Sequence, residues 1–157
     1  MHQPLFVVSI PYGYAAGIPD LEKIQDMIIP EHAHTVDMDN EHWGKETFEK
    51  TLSALFKAYK ATVPEIGKYA VSRKNIEAYL DSQADIIRDM AEELTAQNFN
   101  SWLSQLKYKV LTSDGNFLVN GYKYCNGPEF SAMLYKTKGY RDGSIPVILH
   151  NIYDISL

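Results

Sequence analysis

A single cysteine, Cys125, stands among 157 residues, so no internal disulfide can form and a reducing compartment is expected. No apolar run approaches the ~20 residues of a membrane-spanning helix. The N-terminal stretch MHQPLFVVSIPYGYAAG has no basic opening, and its apolar run, Leu5 to Ile10, is too short for a signal peptide. No Asn-x-Ser/Thr sequon occurs. These absences point to a cytoplasmic protein.

The motifs of common chemistries are missing as well. There is no Gly-x-Ser-x-Gly elbow, no Gly-x-Gly-x-x-Gly, no Walker loop, no His-Glu-x-x-His and no Cys-x-x-Cys. Repeats, low-complexity tracts and linkers are absent too, so residues 1–157 read as one domain. Hydrophobic residues make up 45% and charged residues 22%, which argues against disorder.

What is present is an uneven charge. The net charge is −5, with residues 1–105 net −7 and residues 106–157 net +2. Two surfaces of opposite sign are expected.

Pro4 to Ile10 (PLFVVSI) reads as a strand buried on both faces. Asp20 is placed to cap a short helix carrying Leu21, Ile24 and Ile28, which Pro30 ends. Phe48, Leu52, Leu55, Phe56 and Tyr59 recur at helical spacing and predict a helix over about 41–61. Ser72 is placed to cap a long helix over about 73–97. Its stripe of Ile76, Leu80, Ala84, Ile87, Met90, Ala91 and Leu94 is expected to face the core. A short helix around Trp102 follows. Residues 107–124 then carry two hairpin signals, Asp114-Gly115 and Asn120-Gly121, and predict a β-meander. Residues 127–139 are ambiguous between helix and strand, and SIPVILHNIYDI reads as a last strand. The class is α+β, with an N-terminal buried strand and three to four helices on a mainly antiparallel C-terminal sheet.

Four places carry possible function. The first is an unbroken i, i+4 series of acids on the long helix: Glu77, Asp81, Asp85, Asp89 and Glu93. At 100° per residue these lie opposite the apolar stripe, with Glu92 beside them. Four like-charge pairs cost an isolated helix up to about 2 kcal/mol, which Lys74 and Arg88 partly offset. The series points to docking on a basic protein surface, as an inhibitor, adaptor or assembly component.

The second is the loop after the first strand, where Ser9, Tyr12, Gly13, Tyr14 and Gly17 offer hydroxyls and close backbone approach to an anionic or nucleotide-like ligand. That alternative would make the chain a small enzyme. The third is the interleaving of tyrosines with bases at 107–109, 122–124 and 135–141, a pattern that on a sheet holds single-stranded nucleic acid. Nucleic acid is the disfavoured partner, because no RNP-like motif occurs and the local charge is only +2. The fourth is PEHAHTVDMDNEHW, with His32, His34, Asp37, Asp39 and His42. These are ligand types, but their spacing matches no metal site and suits a polar turn, so no metal or other cofactor is expected. Cys125 would be a nucleophile only beside a histidine such as His150. Tyrosine-rich sheets also self-associate, so a homo-oligomer fits any of these readings.

Overall fold

The computed structural model describes residues 2–13, 17–21, 29, 33–37, 44–63, 67–111 and 115–156. They form an α+β fold in which seven strands make one mostly antiparallel sheet. The strands are β1 (His2–Ser9), β2 (His34–Val36), β3 (Lys60–Val63), β4 (Lys68–Ser72), β5 (Asn116–Val119), β6 (Lys123–Asn126) and β7 (Ser144–Ser156). The helices are α1 (Lys45–Phe56), α2 (Arg73–Glu92), α3 (Phe99–Leu106) and α4 (Gly127–Tyr135). No described helix is long and apolar enough to cross a membrane.

The sheet order is β3-β4-β7-β1-β5-β6. Only β1 and β5 run parallel. The 13-residue β7 is the spine. Along one edge it pairs with β1, and along the other with β4 and then β2 in tandem. Four of the seven strands come from residues 2–72, so the sheet is less C-terminal than the sequence pattern suggested. The short strands β3 and β4 carry no alternation clear enough to read in advance.

The expectation for β1 is met in detail. Phe6, Val8 and Ile10 enter a large core under the helices, while Leu5 and Val7 enter a smaller one with Leu21, Leu118 and Ile155 on the other face. A strand covered on both faces must be apolar at successive positions, as this one is. Phe6 meets Phe48 of α1 at 5.1 Å, and Phe117 stacks on Phe130 of α4 at 4.2 Å.

α1 is shorter than its apolar spacing predicts. Lys57 takes a left-handed conformation (φ 64°), its N–H caps the Ser53 carbonyl at 2.8 Å, and the chain turns toward β3. α4 resolves the ambiguous stretch in favour of helix. Asn126 accepts from the Glu129 N–H and Glu129 accepts from the Asn126 N–H, a reciprocal cap, with Pro128 in the first turn. Residues 107–111 form a π-helical turn where a strand was expected. The hairpin from this region is β5–β6, turned at Asn120 (φ 54°) and Gly121 (φ 80°). The short helix expected after Asp20 falls mainly on residues outside the described ones.

Candidate functional site

α2 begins at a firm anchor. The backbone of Ser72 is extended, but its hydroxyl makes no capping bond. Arg73 anchors the helix start in its place. Its guanidinium donates to the Tyr135 and Thr137 carbonyls at the end of α4 and lies 5.8 Å from the Tyr135 ring centre. Ile76 and Tyr79 then seat the first turns in the core, Tyr79 edge-on to Phe56 at 5.9 Å.

Beyond Ala84 the helix outruns the body. Met90 is buried, but Ile87 is 39% and Leu94 37% exposed, and Ala91 is exposed too. The apolar stripe predicted for the core is therefore covered only in part. α2 ends at Glu92, earlier than predicted, because polar side chains take over the backbone there. Thr95 and Asn98 exchange bonds with each other's backbone N–H, and Asn98 Nδ2 donates to the Glu93 carbonyl at 2.6 Å.

All five acids of the ridge are exposed, as is Glu92. Glu77, Asp81, Asp85 and Asp89 lie within α2, and Glu93 is its C-terminal cap residue. Asp85 accepts from Arg88 at 2.9 Å, with both side chains more than 70% exposed. A pair that open to water contributes little to stability. The ridge is thus a row of exposed carboxylates along one helix and its cap.

The loop after β1 is differently built. Val7 pairs with Asn151 and Val8 with Leu149, so His150 is the extra residue of a β-bulge. The bulge aims its ring at Ser9, and Ser9 Oγ lies 2.7 Å from His150 Nε2 in a hydrogen bond. Ser9 is wholly buried, which withdraws its hydroxyl from any ligand in solvent. Tyr12 and Gly13 lie on the following turn, and Tyr14 falls outside the described residues. Gly17 lines an open cavity of about 410 Å³ with Pro11, Ile18, Lys138 and Tyr140. A neighbouring cleft of about 470 Å³ shares Tyr140 and adds Lys60, Asn75 and Asp142. Two bonds from Ser144 hold the Asp142 carboxyl below its ordinary pKa.

The remaining candidates are dispersed. Cys125 is buried, with Sγ 3.5 Å from Met133 Sδ. Burial pushes its thiol up to about 11, the Glu129 charge adds to this, and Lys123 opposes it. His150 does not approach it. β1 and β5 separate their strands, a span of roughly 14 Å at the usual strand spacing. Of the three Tyr/Lys clusters, only 122–124 reaches the sheet, at edge strand β6 and its turn. Residues 107–109 lie in the π-helical turn and 135–141 at the exit of α4, so they form no common stacking platform on the sheet. His34 and Asp37 are exposed, and His32, Asp39 and His42 fall outside the described residues. Among the described residues no three potential ligands converge on a metal position.

Two features escaped the sequence. The Ser9–His150 bond depends on a bulge that no local signal announces. The open apolar face of α3 had a signal, Phe99, Trp102, Leu103 and Leu106 at helical spacing, but not one that says whether a face is covered.

No protein-family model, no curated protein and no solved structure matches this chain.

Proposed function

We propose that this chain is a non-enzymatic binding module that docks a basic protein surface through the acidic ridge of α2. One observation carries the reading: Glu77, Asp81, Asp85, Asp89 and Glu93 are all exposed along a single helix whose start is anchored in the body. A row of like charges at i, i+4 costs helix stability, and complementary charge on a partner would relieve that cost. Successive carboxylates rise about 6 Å, so a partner with cations at similar spacing meets several at once. Steering of this kind raises the association rate and is screened by salt.

The test reverses the ridge. The full chain and its Asp81→Lys/Asp85→Lys/Asp89→Lys variant serve as baits for cell extract at low salt. Basic proteins retained by the wild-type chain, released as salt rises and lost on the reversed variant support the reading. Equal retention on both baits, with equal melting temperatures, contradicts it.

A second reading rests on the cavity beside Gly17, where Lys138 supplies a cation and Tyr140 an aromatic face to an anionic small molecule. Thermal-shift titration with inorganic phosphate and ATP tests it. A rise in melting temperature that Lys138→Ala abolishes favours this reading, and no rise with either ligand removes it.

A further inference from the structure

We infer that α3 and the distal turns of α2 form a seam on which two copies of this chain pair. Phe99, Trp102, Leu103 and Leu106 share one face of α3, yet no residue of this helix is buried. Phe99 is 51% and Leu103 43% exposed, and Tyr108 in the next turn is 82% exposed. Ile87 near the end of α2 and Leu94 just after it are each more than a third exposed. An eight-residue helix is too short to persist in water on its own propensity and takes its order from packing. Within one chain that packing is thin. It includes the Trp102 indole N–H donating to the Met90 carbonyl.

The size of the open surface fits a second copy. Five side chains exposed to this degree leave on the order of 500 Å² uncovered. That lies near the top of the range for a monomer's largest apolar patch. It is also most of the about 800 Å² that each partner brings to a standard interface.

Charge selects the occupant. No charged residue occurs between Leu94 and Leu106, so a strongly basic or acidic partner finds nothing to pair with on the α3 part of the seam. The ends of the seam differ in sign. Glu92 and Glu93 sit at the α2 end, tied to the start of α3 by Asn98, while Lys107 and Lys109 follow its last residue. A two-fold axis that runs the two α3 helices antiparallel sets each acidic end beside the other chain's basic end. The self-complementary contact then occurs twice. Glu77 to Asp89 lie about 100° or more around α2 from Ile76, so the pair leaves these four acids open and presents them twice, while Glu93 is taken up at the seam. The inference therefore stands whether or not the ridge binds a basic partner.

Sedimentation velocity of the full chain at about 50 µM should report a particle of about 36 kDa, twice the 17.9 kDa of one chain. Phe99→Glu with Leu103→Glu should raise the dimer dissociation constant at least about 30-fold, with circular dichroism and melting behaviour preserved. A charge exchange gives a second, independent readout. Glu92→Lys/Glu93→Lys and Lys107→Glu/Lys109→Glu should each weaken the homodimer, and mixing the two should restore a mixed pair. Three results overturn the inference: a wild-type monomer at that concentration, a dimer indifferent to Phe99 and Leu103, or mixing that restores nothing.

Discussion

Asn120 joins two pieces of the molecule through one side chain and one strained backbone position. It is buried at 1% exposure with φ 54°, its N–H donates to the Val8 carbonyl, and its Oδ1 accepts from the Ile10 N–H at 2.9 Å. It thus ties the end of β1 to the β5–β6 turn. Asn120→Gly keeps the turn's backbone but orphans a buried N–H, and should cost about 1–3 kcal/mol in urea unfolding. Asn120→Ala should cost more, because alanine pays for the left-handed conformation as well. Cys125 shows the same dependence on burial. With its thiol raised from 9.0 to about 11, the native chain holds roughly 100-fold less thiolate than a free cysteine near neutral pH. Alkylation below pH 9 should therefore be slow and should accelerate with unfolding. A folded-state pKa above the unfolded one adds stability that is complete below about pH 9 and is lost as pH rises through about 11. Cys125→Ala should flatten that alkaline decline.

At the scale of elements, α3 is the one described helix with no buried residue. Its amides should exchange hydrogen faster than those of β1 in a chain kept monomeric, and pairing of two copies should slow them. Trp102→Phe removes the indole donor to Met90 and should speed exchange across α3 while leaving β1 unchanged. Elements whose information is local were legible in the sequence. β1 and β7 are apolar runs between turn formers, and α2 has a long stripe. Residues 127–139 stayed ambiguous between helix and strand, and the Asn126–Glu129 cap of the fold decides for helix. Those decided elsewhere in the chain were not. β4 owes its strand form to pairing with β7 and β3 to pairing with β4, and Lys107–Leu111 looks β-rich yet winds into a π-turn after α3. The stripe of α2 gives its direction, but nothing in it marks where the sheet beneath it stops.

At the scale of the whole molecule, part of the net negative charge of residues 1–105 lies along α2. Acids gather on one face of a helix anchored by Arg73 in the body, and that arrangement trades helix stability for a charged surface. Asp81→Ala and Asp89→Ala should each leave stability unchanged or raise it by about 0.2–0.5 kcal/mol, while weakening any ridge-dependent association. The legible part of the site was its pattern, since five acids at i, i+4 need only the sequence to be seen. Exposure of those acids, burial of Ser9 and the opening beside Lys138 needed the fold.

Carboxylate footprinting tests the central claim most directly. The immobilised chain is treated with a carbodiimide and an amine, with and without the extract proteins it retains, and labelling is read residue by residue. Bound protein should shield Glu77, Asp81, Asp85 and Asp89 while Asp37 and Glu46 label as before. Unchanged labelling along α2, with protection instead around Asp142 or on the sheet, would contradict docking through the ridge.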